Sequence, residues 1–314
     1  MRPWLWDEWA NASSIHSSGL KAREAVESAR IEVMELIGAE DPSQIVFTSG
    51  ATEGANTAVA TSPVGWISPF EHSAVREPAL SRGWTIAPTS GYTIEPLPGF
   101  GAVMAVNNET GAEFAPVDGL VDATQALGKR PYEVAGAEFV IGSAHKIYGP
   151  KGVGFLYLRD GAIEPFLRGG EQEGGLRAGT TNVPGVVGLG EAARIAREES
   201  DDDPLRAMRS AVRDAVPDAL MNGDGVPHIL SLSFLGLQGE TIVLELDRAG
   251  FAISAGAACS SRSTEPSHVL TALGYDEARI RGTIRISFGR FNTLESARAL
   301  GSELARAVKN LRRI

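Results

Sequence analysis

Ser143-Ala-His-Lys-Ile-Tyr-Gly-Pro-Lys-Gly152 holds the residue types best suited to chemistry in this chain. It sets one lysine, Lys146, after a Ser-x-His triplet and before a stiff Gly-Pro-Lys-Gly turn. A lysine that forms a Schiff base must sit at a fixed, partly desolvated place, so that its amine is neutral and nucleophilic. Ser143 and His145 can donate hydrogen bonds to an anion, and the glycines let backbone come close to a ligand. That combination suits pyridoxal phosphate, which needs a lysine for its aldehyde and donors for its phosphate. The plain alternative is a solvated loop lysine, and other segments of the chain weigh against it.

Ser49-Gly-Ala-Thr-Glu53 follows a strand-like run and precedes a helical one, Gly54-Ala-Asn-Thr-Ala-Val59, so it leads into a helix N-terminus. A helix N-terminus offers unpaired N–H groups and a positive dipole end, which suits a phosphate; the same residues also make an ordinary N-cap. Val121-Asp-Ala-Thr-Gln125 puts Asp122 at the end of an apolar strand with Gln125 three residues on. A carboxylate there can keep a pyridine nitrogen protonated and an amide can bond a ring oxygen, although a strand-end Asp also caps a following helix. Cys259 is the single cysteine, which excludes an internal disulfide and a cysteine-rich metal site. Lone cysteines often serve as small buried hydrophobes. This one sits between Ser254-Ala-Gly-Ala-Ala and Ser-Ser-Arg-Ser-Thr-Glu-Pro, a polar, small-residue stretch expected to be a mobile loop, where Arg262 could stabilise a thiolate.

The elements that must position these residues alternate between helical periodicity and strand-like apolar runs, the pattern of an α/β fold with a mostly parallel sheet. Ala22, Ala25, Ala29, Val33 and Leu36 recur at helical spacing over residues 18–38. Strands are expected over 44–48, 101–106, 138–142, 154–158, 228–234 and 284–288, and helices over 187–199, 240–248 and 294–312. The acidic run at 200–203, with Pro204, reads as a solvated hinge. It divides a large domain over 1–200 from a smaller α+β domain over 201–314. The 314 residues suffice for that, and 43% hydrophobic and 22% charged content is ordinary for a soluble protein. A formal net charge of −10 argues against general nucleic-acid or anionic-membrane binding. No apolar run approaches a membrane span, and the acids and tryptophans of Met1-Arg-Pro-Trp-Leu-Trp-Asp-Glu8 do not fit a signal peptide, so a cytoplasmic protein is expected.

Taken together, eight segments resemble the cysteine desulfurases of the class V aminotransferase group, pyridoxal-phosphate enzymes of fold type I. They are Thr48-Ser-Gly-Ala-Thr-Glu53, Glu71-His72, Val106-Asn-Asn-Glu-Thr-Gly111, Val121-Asp-Ala-Thr-Gln125, the Lys146 segment, Gly174-Gly-Leu-Arg-Ala-Gly-Thr180, Ser254-Ala-Gly-Ala-Ala-Cys-Ser-Ser261 and Ile284-Arg-Ile-Ser-Phe-Gly-Arg290. They occur in the family's order. The resemblance implies that Lys146 holds the cofactor aldehyde and later moves the substrate Cα proton. Asp122 and Gln125 would hold the ring, and His72 would stack on it and assist proton transfer. Ala51, Thr52, Ser143 and His145 would bind the phosphate, joined by Thr180 from the other subunit of a homodimer. Asn108 and Arg285 would clamp the substrate carboxylate. Cys259 would take sulfur from L-cysteine as a persulfide, leaving L-alanine, and pass it to a sulfur-acceptor or scaffold protein for iron–sulfur clusters, thio-cofactors or thiolated tRNA. Read without the family, His72 is also a plain surface histidine and Arg285 a plain ion-pair partner.

The chain departs from the family in three places. The usual N-terminal strand has no counterpart, the chain entering the pattern at Trp9-Ala-Asn-Ala-Ser-Ser-Ile-His16, and the stretches between His72 and Asn107 and between Asn108 and Asp122 are short. Trp4, Leu5, Trp6 and Trp9 are therefore expected to pack against the vacated surface or a partner. Alternative readings are a desulfurase-like subunit that needs a partner chain, a selenocysteine lyase, which the long cysteine loop disfavours, and, remotely, a thiol hydrolase.

Overall fold

The computed structural model describes residues 1–134, 136–161, 163–198, 202–256 and 266–313. Strands follow in chain order as β1 (Ile45–Thr48), β2 (Trp66–Ile67), β3 (Thr85–Ile86), β4 (Thr89–Ser90), β5 (Thr93–Ile94), β6 (Gly101–Met104) and β7 (Gly119–Asp122). Then come β8 (Phe139–Ser143), β9 (Gly154–Leu158), β10 (Leu220–Met221), β11 (Ile229–Ser233), β12 (Ser254–Ala255) and β13 (Thr283–Ser287). The helices are α1 (Arg2–Trp6), α2 (Ser17–Ile37), α3 (Ala51–Thr61), α4 (Ser73–Ser81) and α5 (Val183–Glu198). They continue as α6 (Asp203–Ala215), α7 (Gly239–Arg248), α8 (His268–Ala272), α9 (Glu277–Arg281) and α10 (Leu294–Leu311). The chain divides into two compact units, one of Met1–Ala87, Pro96–Ala105 and Phe114–Ser200, the other of Pro88–Glu95, Val106–Glu113 and Asp201–Ile314.

The first unit is built on a seven-stranded sheet in the order β1-β9-β8-β7-β6-β2-β3. β3, β2, β6, β7 and β8 run parallel, while β9 and β1 close one edge antiparallel. The mostly parallel sheet expected from sequence is present. Its strands read as continuous apolar runs because both faces are covered. Ile45, Phe47, Val121, Val140, Phe155 and Tyr157 pack with α2 and α5, whereas Val46, Leu120, Phe139, Ile141, Leu156 and Leu158 pack with α3 and α4. That alternation follows from the two-residue side-chain period of a strand. Helices α2 and α5 press close: a Cβ on Gly190 would lie 2.6 Å from the Ala29 Cα, so a larger residue there forces them apart.

α1 packs Trp4 onto this same core, but Leu5, Trp6 and Trp9 are 58%, 74% and 83% exposed. Of the two expected outcomes, packing on the chain's own surface holds for Trp4, while Leu5, Trp6 and Trp9 leave only packing against a partner. A helix of five residues has one inward face, and Trp4 occupies it.

The second unit carries the antiparallel sheet β10-β11-β13-β12. α6, α7 and α10 bury Met208, Val212, Ile242, Leu246, Leu300 and Leu304 with Leu230, Leu232, Ile284 and Ile286. Helix α6 replaces part of the expected hinge: Asp203 stands in its first turn and Pro204 within its first two positions, where neither residue opposes helix formation. Ser200 and Asp201 lie outside the described residues. α5 begins at Val183, four residues before the expected start, because Pro184 is tolerated in a first turn.

Candidate functional site

The ends of β1 and β8 and the start of α3 make one cradle in the first unit. Ser143, at the end of β8 and 6% exposed, accepts a hydrogen bond at Oγ from the Ala51 N–H at 2.8 Å, which satisfies one orphan donor of α3. The next amides, those of Thr52 and Glu53, lie in the first turn and have no intrahelical acceptor. Thr52 itself is exposed. The Ser49 N–H donates to Glu53 Oε2 at 2.8 Å and Thr48 Oγ1 donates to the Gly50 carbonyl at 3.0 Å, so the turn is held from both sides. β9 must carry Gly154 beneath it, since a Cβ there would stand 2.7 Å from the Gly50 Cα and closer still to the Gly142 carbonyl oxygen.

Beyond Ser143 the chain makes a 3-10 turn over Ala144–Ile147. It closes on Tyr148 in the left-handed region at φ 66°, with the Gly149 N–H donating to the Ala144 carbonyl at 2.8 Å. That turn leaves His145 exposed and Lys146 half-buried. Partial burial, with Lys146, Lys151 and Lys129 nearby, holds the His145 imidazole below its ordinary pKa and favours its neutral form.

At the neighbouring strand end Asp122 is 6% exposed, and its Oδ1 accepts from the Thr124 N–H at 2.9 Å. Gln125 accepts from Lys129 Nζ at 3.2 Å. His72 caps α4, its Nδ1 accepting from the Ala74 N–H at 3.1 Å; this bond assigns the ring proton to Nε2. Glu71 beside it is buried, and its Oε1 accepts from Ser68 Oγ at 2.6 Å and from the Met104 N–H at 2.7 Å. Met104 pairs with Asp122 across the β6–β7 ladder. Burial pushes the Glu71 carboxyl up to about 8, against the pull of the Ser68 hydrogen bond and with a further push from Asp122. Ser143, His145, Lys146, Asp122 and, after β2, His72 thus follow the carboxyl ends of parallel strands, where open α/β sheets bind ligands.

Two ion pairs brace this cradle, and sequence reasoning missed both. Arg177 grips Glu53 bidentately at 2.8 and 3.2 Å, tying the first turn of α3 to the segment that carries Thr180, which is exposed. Arg30 donates to Glu173 at 2.8 Å, and Glu173 Oε2 also accepts from the Phe47 N–H at 2.9 Å. Glu173 adopts φ 50°, ψ 40°, a left-handed geometry that a non-glycine residue holds only where its surroundings enforce it. Glu53, at the start of a helix, was the only sequence signal for either pair.

In the second unit Asn107 is buried and gathers its own turn: Oδ1 accepts from the Glu109 N–H, the Thr110 N–H and Thr110 Oγ1 at 2.9, 2.9 and 3.1 Å. The turn presents Asn108, whose carbonyl accepts from Arg285 Nη1 at 2.7 Å. Ser254 of β12 lies opposite Arg285 of β13, with Oγ 3.4 Å from Nη2. The structure therefore brings Asn108 and Arg285 together. Cys259 and Arg262 lie outside the described residues.

The residues of the first unit fit a phosphorylated aldehyde. They combine open helix-start amides and a hydroxyl for an anion, a half-buried amine one turn away, and a carboxylate at the adjacent strand end. Among the described residues no group of three or more His, Cys, Asp or Glu could hold a metal, and no helix is long and apolar enough to cross a membrane.

The family model described as aminotransferase class-V matches residues 1–81 and 84–300. A cysteine desulfurase of Cereibacter sphaeroides is 37% identical, over 99% of this chain and 92% of its own. The cysteine desulfurase NifS of Azotobacter vinelandii is 34% identical, over 100% and 89% respectively. Among solved structures, a NifS-like protein is 31% identical and superposes with a TM-score of 0.88 over 99% of this chain and 94% of its own. DndA from Streptomyces lividans superposes at 0.72 with 31% identity, covering 90% and 93%.

Proposed function

The chain belongs to the class-V aminotransferase family, and from that premise we propose that it is a pyridoxal-phosphate-dependent cysteine desulfurase, its sulfur bound for an acceptor or scaffold protein. The observation that carries this is the lining up of Lys146, Ser143, His145 and Asp122 along one edge of a NifS-like sheet. When bound, the cofactor supplies an aldehyde for amines and a ring that draws electrons from the substrate Cα.

The protein's own residues do the rest. Lys146 would hold the cofactor aldehyde and would carry the substrate Cα proton. Ala51, Thr52, Ser143 and His145 would hold the phosphate, Asp122 and Gln125 would hold the ring, and His72, its Nδ1 occupied by the Ala74 N–H, would stack on that ring and assist proton transfer from Nε2. Asn108 and Arg285 take the carboxylate of L-cysteine, a task suited to the planar guanidinium. Cys259 takes the sulfur. The C–S bond of L-cysteine breaks, an S–S bond to Cys259 forms, and the Cys259 proton ends on the methyl carbon of L-alanine. In this reading the active form is a homodimer in which Thr180 completes the phosphate site of the partner. The exposed Leu5, Trp6 and Trp9 favour a second form of the reading, in which a partner chain is also needed for full turnover.

The test is alanine and sulfide production from L-cysteine by the purified chain, with and without reductant. A yellow protein bleached by borohydride and turning over L-cysteine supports the proposal; a colourless protein inert to L-cysteine overturns it.

A further inference from the structure

Glu71 is fully buried in the first unit, and none of the steps above uses it. Its place follows from where two parallel strands part. β2 and β6 pair through Ile67 and Ala102, and the Ser68 N–H adds a last rung, donating to the Ala102 carbonyl at 2.9 Å. β2 ends there, while β6 runs on to Met104. The Ala105 N–H turns toward β7 and donates to the Asp122 carbonyl at 2.9 Å, so the Met104 N–H before it faces the side that β2 has left. A buried N–H without an acceptor is costly. Glu71 supplies the acceptor, its Oε1 taking the Met104 N–H at 2.7 Å and Ser68 Oγ at 2.6 Å. Ser68 Oγ also accepts from the Phe70 N–H at 3.2 Å, and Phe70 stacks on Phe114 with centroids 5.1 Å apart. One carboxyl oxygen thus joins the turn that leads into His72 to the strand end whose ladder partner is Asp122.

We propose that Glu71 is a positioning residue of the ring site: it holds the His72 turn against the end of β6, so that the imidazole that would stack on the ring and the carboxylate that would bond it keep one spacing. The proposal rests on the pyridoxal-phosphate reading above. Because burial keeps the Glu71 carboxyl neutral up to about 8, what it presents to the two donors is a carbonyl oxygen. An amide copies that role and a hydrocarbon does not. Without the acceptor, Ser68 and the Met104 N–H turn to other partners, and the arrangement competent for the ring loses population. Apparent affinity falls in proportion to that population.

The test titrates apo-protein with pyridoxal phosphate. It reads the dissociation constant and the visible circular dichroism of the loaded protein, which depends on how the ring is seated. Glu71→Leu fills the space but offers no acceptor, and should weaken cofactor binding by about five- to a hundred-fold. Its visible dichroism should drop below about half of native while the far-ultraviolet signal is unchanged. Glu71→Gln should stay within about two-fold of native in both readings. Glu71→Asp, a methylene too short to meet both donors, should weaken binding by at least about three-fold, and with Glu71→Gln it decides the matter if the Leu variant does not fold. Val33→Ala, a cavity in the core beneath α2, should lower the denaturant midpoint and leave affinity and visible dichroism native. A Glu71→Asp protein that matches native, or a Glu71→Gln protein that binds as weakly as Glu71→Asp, overturns the role. Equal losses of cofactor affinity in Val33→Ala and the Glu71 variants would reduce it to general stability and overturn it as well. A native protein that takes up no pyridoxal phosphate overturns the cofactor reading, and the role of Glu71 falls with it.

Discussion

The cradle of the first unit and the turn-and-strand frame of the second solve the same task in opposite ways. Around the Lys146 turn backbone donors meet acceptors close by: the Ala51 N–H the Ser143 hydroxyl, the Ala144 N–H the Val153 carbonyl, and the Gly149 N–H the Ala144 carbonyl. Around Arg285 the contacts join stretches remote in the chain, such as Arg285 to Asn108 and Ser267 to Glu109, and side chains make them. The backbone shape of a site of the first kind rests on its glycines and strand ends. One of the second kind depends on single polar atoms whose loss leaves a buried partner unsatisfied.

The contrast can be broken most severely at Lys146. Lys146→Ala should abolish turnover and the visible absorbance of bound cofactor while the far-ultraviolet dichroism stays native. Retained, borohydride-reducible cofactor at full occupancy would move the role to another lysine such as Lys151. Cys259→Ser should stop alanine formation to the same degree yet keep the spectral response to L-cysteine, because binding needs only the cradle and the carboxylate anchor. Unchanged alanine production would remove Cys259 from the chemistry. Arg285→Lys should raise KM for L-cysteine by about 10- to 100-fold with a smaller change in kcat, since an ammonium cannot reproduce a bidentate fork and also reach the Asn108 carbonyl. A KM within about two-fold of native would place the carboxylate elsewhere.

The smallest effect concerns Glu71, and its sign follows from linkage. The folded protein holds the Glu71 proton up to about 8, whereas the unfolded chain releases it near the ordinary 4.5, so the folded state binds more protons in between. Stability from this group is therefore complete below the unfolded value and falls as pH rises toward 8. Glu71→Gln keeps an acceptor for Ser68 and the Met104 N–H but cannot ionise. Its stability relative to native should rise between pH 5 and pH 8, read from denaturant midpoints at both. A gap independent of pH would mean that Glu71 is ionised in the fold.

Much of this was legible in the sequence, for physical reasons that also mark its limits. Strands buried on both faces announce themselves as apolar runs, and the Lys146 turn and the Asp122 strand end carry their chemistry within a few residues. α6 was missed because Asp203 and Pro204 resemble a linker and a breaker, although both are at home in a first helical turn. Which of the N-terminal apolar residues faces inward was not legible, because apolar content says that a surface will be covered but not by which residue: Trp4 faces inward, Trp6 and Trp9 do not. Arg30 with Glu173 and Ser267 with Glu109 have no local signature, since each joins segments well over a hundred residues apart.

The second unit draws two short pieces, Pro88–Glu95 and Val106–Glu113, from chain that precedes the rest of it by about a hundred residues. The Val226 N–H donates to the Gly111 carbonyl, and a Cβ on Gly225 would collide with that same oxygen. During synthesis those early pieces must wait for their partners until the last third of the chain has emerged, a delay that contact-order arguments associate with slow folding and exposure to chaperones. A fragment starting at residue 202 would lack the Asn108 carbonyl that accepts from Arg285 and the Glu109 carboxylate that accepts from Ser267, whatever its own hydrophobic content. Supplying residues 88–113 in trans as a peptide would show whether the carboxyl-terminal unit can be completed after the fact, or must be threaded as one polypeptide.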